Sequence, residues 1–224
     1  MSVQKKLFGI VGTGGCARDV MPMAEKYIAS STPHISNHDM DIVFVETNPT
    51  LDIVNGHRVI SEAQFCGLEG NEKYFNVAVG SSALRRDISN RLIAAGCEPF
   101  SIFANSSILH DDIMLGGGAT ICDYVVITSN VVIGSYFQAN IHSHVSHDCR
   151  IGDYVTFGPR VSCNGNVVIE DFAYIGAGAV IKQGTNDRPI VIGQGATIGM
   201  GAIVTKSVPP NKTVIGNPAV EIVI

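Results

Sequence analysis

From Leu109 to Ile181 an aliphatic or small apolar side chain recurs at every sixth position. The series is Leu109, Leu115, Ile121, Ile127, Ile133, Ala139, Val145, Ile151, Phe157, Cys163, Ile169, Ile175 and Ile181. A second series, four residues on, is small or β-branched: Ala119, Val125, Val131, Val155, Val161, Val167, Ala173 and Ala179. A period of six matches neither a helix at 3.6 residues per turn nor the alternation of a strand. It predicts a three-sided coil in which each flat side is one hexapeptide and the repeated residue stacks inward on its copy one coil away. Gly follows several inward residues, as at Leu115-Gly116, Ile133-Gly134, Ile151-Gly152 and Ile175-Gly176. Gly or another small residue is expected to let the chain turn each corner. The expected fold over 105–224 is thus all-β, a left-handed parallel β-helix.

The register slips once. After Ile181 it resumes at Ile192, Ile198 and Val204, an excess of five residues. The surplus predicts a loop around Gly184-Thr185-Asn186-Asp187-Arg188-Pro189 that protrudes from one corner, where such insertions commonly serve function.

Residues 1–104 alternate between strand and helix periods instead. Leu7 to Val11 reads as a buried strand, followed by a glycine loop and a helix from about Arg18 to Ala29. Pro22 is expected within the first turn of that helix or at a kink. Ser30 to Asp39 reads as turn, Asp41 to Glu46 and Tyr74 to Val79 as strands, and Pro99 to Ala104 as a last short strand. A helix between these last two would place Leu84, Ile88 and Leu92 on one face, with Ser81 or Ser82 as N-cap and Gly96 as its stop. This is a small parallel α/β unit, Rossmann-like and about half of a doubly wound fold.

The first loop fits Gly-x-Gly-x-x-Gly/Ala through Gly12, Gly14 and Ala17, directly after a strand and opening a helix. Free N–H groups at such a helix start favour an anionic phosphate. Glu46 ends the second strand, where it would accept hydrogen bonds from a ribose or base. Gly80, Ser81 and Ser82 follow the neighbouring strand, at the end where such sheets bind ligands. The unit is too short for a second mononucleotide half, so a nucleotide-linked small molecule is expected rather than a dinucleotide.

Composition narrows the class. The chain has 224 residues, 46% hydrophobic, with a net charge of −5 and no basic run, which argues against nucleic acid and anionic membranes. The start, Met1-Ser2-Val3-Gln4-Lys5-Lys6, has the apolar length of neither a signal peptide nor a membrane span, so a cytoplasmic protein is expected. Six scattered cysteines without a Cys-x-x-Cys pair read as reduced packing residues.

Chemistry is expected where three of the seven histidines cluster, in Ile141-His142-Ser143-His144-Val145-Ser146-His147-Asp148. Ala139, Val145 and Ile151 point inward in the six-residue register, so all three histidines face a corner or the outside. His147 is the strongest candidate, because an adjacent carboxylate fixes an imidazole's tautomer and stabilises its protonated form. It would serve as general base for an amine or hydroxyl attacking a thioester, with a backbone N–H as oxyanion donor. A zinc reading of His142 and His147, as in the β-helical carbonic anhydrases, needs a third histidine near position 106. That position is Ser106, and His110 is out of register by four.

At this point the chain resembles the bacterial hexapeptide-repeat sugar acetyltransferases, the group that includes UDP-4-amino-sugar N-acetyltransferases of bacillosamine-type pathways and sialic acid O-acetyltransferases. The resemblance rests on Gly12-Thr13-Gly14-Gly15-Cys16-Ala17-Arg18-Asp19-Val20, Val79-Gly80-Ser81-Ser82, His147-Asp148-Cys149, Cys163-Asn164-Gly165-Asn166-Val167 and Val214-Ile215-Gly216-Asn217-Pro218-Ala219. It implies His147 as base, Asp148 as its acidic partner, and the Gly165 N–H as oxyanion donor. It implies a nucleotide-sugar site at Gly12, Thr13, Gly14, Gly15, Cys16, Glu46, Gly80 and Ser81. Backbone at Ala177 and Met200 would bond the pantetheine arm of acetyl-CoA, the co-substrate, with no metal required. A homotrimer with active sites between subunits is implied as well.

Three positions depart from the family pattern. Cys16 and Thr156 stand where many relatives have histidine, and Glu46-Thr47 replaces an acidic pair. The Thr156 hydroxyl would still bond an acetyl carbonyl. All six basic residues of the repeat region (Arg150, Arg160, Lys182, Arg188, Lys206 and Lys212) follow position 149, which places the coenzyme phosphates near that half, Lys206 included. The expected activity is N-acetylation of a UDP-4-amino-4,6-dideoxy sugar, with sialic acid O-acetylation, a non-catalytic nucleotide-sugar-binding β-helix and a β-helical metalloenzyme as alternatives.

Overall fold

A computed structural model describes residues 5–31, 40–69 and 71–222, which form two compact units parting between Asn105 and Ser106. The first unit contains β1 (Lys5–Val11), α1 (Gly15–Ser31), β2 (Met40–Glu46), β3 (Ile53–Val54), β4 (His57–Ser61), α2 (Glu62–Gly67), β5 (Asn71–Val77), α3 (Ser82–Ala94) and β6 (Glu98–Pro99). Its sheet runs β3-β4-β2-β1-β5-β6, parallel except between β3 and β4. Ile10, Val43, Phe44, Val45 and Phe75 are buried, as expected of parallel strands that read as unbroken apolar runs. The chain leaves β1 for β2 on one side and reaches β5 on the other. The loops after β1 and β5 therefore meet at a topological switch point, where open parallel sheets bind ligands.

Several sequence expectations need correction here. Helix α1 extends to Ser31, so Ser30 and Ser31 are helical where a turn was expected, and the rest of that stretch, 32–39, lies outside the described residues. Pro22 sits beyond the first turn of α1, on the exposed side of the helix. On α3 the buried stripe is Arg85, Ile88, Ser89 and Leu92, while Leu84 is exposed. The N-cap is Ser81, whose Oγ accepts the Leu84 N–H at 3.4 Å. The hairpin of β3 and β4 and the short helix α2 were not expected. Both had local signals: Asn55-Gly56 turns the hairpin with both φ positive, and Ser61 with Gln64 forms a capping box.

The second unit is a three-sided parallel β-helix. Strands pair with their copies 18 residues on, as in Thr120↔Gln138↔Thr156↔Tyr174, Val126↔His144↔Ser162↔Val180 and Val132↔Arg150↔Val168. These three ladders define a first, second and third face. The inward series is buried from Ile121 to Ile181. The second series is fuller than the sequence suggested, because Phe137, Ser143 and Cys149 occupy the same buried register. Phe137 meets Phe157 edge-on at 5.2 Å, filling the space that Ala139 leaves. The Ser143 hydroxyl donates to the Gly158 carbonyl at 3.0 Å and accepts the Val161 N–H at 3.1 Å, so its burial leaves no polar atom unmet.

The corners are not turned by the glycines that follow inward residues. A left-handed residue occurs at every sixth position from Asp112 to Gly178, three residues past each inward one, and half of these are large: Tyr124, Tyr136, His142, Tyr154, Arg160 and Phe172. Left-handed backbone costs an L-residue about 1–2 kcal/mol, and stacking along the corner offsets it. Tyr136, Tyr154 and Phe172 form one column at 4.9 and 5.3 Å with nearly parallel rings. Glycines such as Gly158 and Gly176 serve close approach instead: an added Cβ would lie 2.7 Å from the Ala177 nitrogen or 2.6 Å from that of Met200. Gly158→Ala should lower stability by about 1–3 kcal/mol through overpacking. Urea denaturation should show a lower midpoint with an unchanged slope.

The insertion lies where expected. Ile169 pairs with Ile192 across 23 residues (192 − 169) instead of 18. Thr185 and Arg188 exchange backbone hydrogen bonds of 3.0 Å that close its tip. The expectation of a single slip is incorrect, however. Thr197 pairs with Thr213 only 16 residues on (213 − 197), because the chain crosses from Val204 to Val208, the partners of Ile181 and Ile192, through Thr205, Lys206 and Ser207 alone. No helix among the described residues is long and apolar enough to cross a membrane.

Candidate active site

The corner between the second and third faces carries Asp112, Asn130, Asp148 and Asn166 as its left-handed residues. Asn and Asp tolerate this conformation best among non-glycine residues, so backbone geometry already selects their type here. Asp148 goes beyond that conformational role. Its Oδ2 lies 2.7 Å from His147 Nδ1, and its Oδ1 accepts from Asn130 Nδ2 at 3.3 Å. The bond to the ring, and secondarily the one from Asn130, holds the Asp148 carboxyl below the usual carboxylate range. Its charge therefore persists as the pH falls through the range in which an imidazole takes up a proton.

One coil on, the backbone of Gly165 lies directly beneath the ring. A Cβ at Gly165 would stand 2.6 Å from His147 Cε1 and 2.7 Å from Nε2. The two residues are tied through the Asn166 N–H, which donates to the His147 carbonyl at 3.0 Å. With Nδ1 engaged by Asp148, Nε2 bonds no described residue, and the side chain is half exposed. The Gly165 N–H likewise bonds no described residue. The arrangement thus presents a base nitrogen and a free N–H donor together at one corner, as addition to a carbonyl requires.

Asp148→Asn keeps the corner conformation and removes only the charge. Turnover should fall about tenfold, a modest loss because the pair is solvent-screened. Thermal unfolding should be nearly unchanged, and a large fall in stability with normal turnover would assign Asp148 a structural role only.

Cys149 follows this pair but turns inward, its Sγ donating to the Asn164 carbonyl at 3.2 Å and lying 4.0 Å from Cys163 Sγ. That contact lowers the Cys149 thiol and, with burial, pushes the Cys163 thiol up, but both sulfurs are buried, so neither is presented as a nucleophile. The packing role expected of all six cysteines fails for Cys16, which is exposed.

The other expected residues of this unit lie elsewhere along the coil. Thr156 is nearly buried on the first face, opposite the His147 corner. Ala177 and Met200 stack at the corner between the first and second faces, where Met200 is 82% exposed, and neither N–H bonds a described residue. Lys206 shares the His147 corner three coils on, roughly 14 Å away at about 4.8 Å per coil. His142 stacks on Tyr124 at 4.9 Å, at a different corner from His147, and no three potential ligands converge among the described residues.

In the first unit, Gly12 (φ +109°) crosses from β1 toward α1, and its Cβ position lies 3.3 Å from the Ala78 carbonyl. Gly14, Gly15 and Gly80 face open space, so the N–H groups of the α1 start are accessible. Thr13 Oγ1 donates to Glu46 Oε1 at 2.7 Å beside a cleft of about 170 Å³ bordered by Asn48, Thr50 and Leu51. Ser81 spends an Oγ lone pair on capping α3 and its carbonyl on the Arg85 N–H, which leaves its O–H for other contacts. Sequence reasoning missed Arg85, fully buried, whose guanidinium donates to the Val79 carbonyl at 2.8 Å and fixes the Gly80 loop. It shares its face with Ile88, Ser89 and Leu92 at i, i+3, i+4 and i+7, a period legible only once a polar member is admitted.

No family model matches the sequence. GDP-perosamine N-acetyltransferase of Escherichia coli O157:H7 is 47% identical over 216 residues, covering 96% of each chain. Among solved structures, WeeI from Acinetobacter baumannii AYE is similar at TM-score 0.90 and 40% identity, over 97% of this chain and 100% of WeeI. The acetyltransferase domain of PglB from Neisseria gonorrhoeae FA1090, in complex with acetyl coenzyme A, gives TM-score 0.83 at 26% identity over 97% and 100%.

Proposed function

The chain belongs to the hexapeptide-repeat sugar acetyltransferases, and from that premise we propose that His147 is the general base for direct acetyl transfer to the amino group of GDP-perosamine. The enzyme is an acetyl-CoA-dependent N-acetyltransferase of a nucleotide-linked amino sugar. Sequence reasoning favoured a uridine nucleotide. The relative that matches along nearly its whole length is named for a guanosine one, which moves the preferred substrate accordingly. It is also named for N-acetylation, which weakens the O-acetylation alternative.

One observation carries the mechanism: an imidazole held at Nδ1 by a carboxylate 2.7 Å away lies over a glycine whose N–H is unspent. The sugar amine attacks the thioester carbonyl carbon, forming the C–N bond and giving up a proton to His147 Nε2. The Gly165 N–H donates to the oxyanion. Collapse breaks the C–S bond, and the departing thiolate takes the proton from the imidazolium. The Rossmann-like first unit holds the nucleotide, with its diphosphate on the loop from Gly12 to Cys16 and its ribose or base near Thr13, Glu46, Gly80 and Ser81. Pantetheine amides accept from the Ala177 and Met200 N–H groups, and Lys206 neutralises phosphate charge.

Within one chain Thr156, Ala177 and Met200 sit away from the His147 corner, so they reach it only from a neighbouring copy. A homotrimer with active sites between adjacent coils satisfies that requirement. Incubation with acetyl-CoA and GDP-perosamine, a UDP-4-amino-4,6-dideoxy sugar or a sialic acid, followed by mass measurement, tests the assignment. A gain of one acetyl group on GDP-perosamine is expected. A gain confined to sialic acid, or none with any of the three, contradicts it.

A further inference from the structure

A cleft of about 370 Å³ in the second unit lies beneath the 184–190 insertion on the third face and opens at Asp148. Its size falls in the ~300–1,000 Å³ range of small-molecule sites. Val132, Val168 and Pro189 form an apolar strip, flanked by the side chains of Arg150, Asn166 and Asn186. None of these three polar side chains bonds a described residue, so the cleft holds unspent donors and one cation beside the base. That mixture suits a pyranose, which offers a C–H face to the strip and a rim of hydroxyls to the amides and guanidinium.

Arg150 also sets direction. Its charge repels an ammonium group and so turns the amine toward the His147–Asp148 end of the cleft, favouring the neutral, nucleophilic form. Arg150 projects outward because its neighbour Ile151 takes the inward register, and its strand pairs with Val132 and Val168 on either side.

We propose that this cleft is the acceptor-sugar subsite and that Arg150, with Asn166 and Asn186, selects and orients the sugar ring; the assignment rests on the acetyltransferase reading given above. The test is a steady-state comparison of Arg150→Met and Asn186→Ala with wild type, using GDP-perosamine and acetyl-CoA. Arg150→Met should raise the KM for GDP-perosamine about tenfold or more, the loss of a charge-assisted hydrogen bond. Asn186→Ala should raise it less, and the KM for acetyl-CoA should stay within about twofold in both. An unchanged sugar KM in both variants, or a rise confined to acetyl-CoA, overturns the proposal. Calorimetric titration of GDP-perosamine into wild type and Arg150→Met reads the cleft without turnover. Wild-type binding that Arg150→Met weakens, with no transfer by wild type, would defeat the acetyltransferase reading and leave the subsite standing. Equal binding by both proteins would defeat the subsite alone.

Discussion

His147→Ala is expected to lower turnover by ~10²–10⁴ while leaving acetyl-CoA affinity nearly unchanged. The ring is half exposed, and Asp148 is the one described residue it bonds through its side chain, so its removal opens no cavity and strands no buried partner. Its loss should therefore appear in the chemical step and not in folding. Thermal unfolding of the variant should track wild type, and coenzyme binding by calorimetry should be retained. A variant that turns over at near the wild-type rate would remove the general-base role. One that loses coenzyme affinity and turnover in parallel would make His147 a binding residue.

Gly165→Ala is the second large effect, and it reaches the same centre from below. The added methyl would stand 2.6–2.7 Å from Cε1 and Nε2 of His147, so the ring must tilt or shift to make room. A displacement of about 1 Å at a reacting group costs on the order of 10²-fold in rate. Gly165 has a negative φ, so alanine adds no backbone strain, and the donated N–H itself survives. The variant thus separates the ring's position from the donor's presence. A fall of ~10² in turnover with normal stability is expected, and wild-type turnover would show that His147 does not work from above Gly165.

The β-helix was legible because its repeat is enforced at every coil: an inward residue must meet its own copy, and a polar substitution there would bury an unpaired group. Ser143 shows the limit, since its hydroxyl finds both a donor and an acceptor inside the coil and so escapes a search for apolar residues. The corners were misread for a related reason. A left-handed Tyr or Phe looks improbable residue by residue, and becomes affordable only through the stacking that Tyr136, Tyr154 and Phe172 supply. In the first unit, Arg85 was hidden because its charge suggested solvent, whereas its partners are the carbonyls of the loop that leads into its own helix. His147, Asp148 and Gly165 could be named from sequence as candidates, but their meeting at one corner depends on the 18-residue coil that sets position 165 beside 147.

Direct transfer through this imidazole is most plainly tested in a single turnover. Enzyme in excess over labelled acetyl-CoA is held without acceptor, then mixed rapidly with GDP-perosamine while free coenzyme A and protein-bound label are followed. Coenzyme A should stay unreleased and the protein unlabelled until the sugar arrives, after which thiol and acetylated sugar should appear together. Release of one coenzyme A per active site before the sugar is added, with the label retained on the protein, would contradict the mechanism.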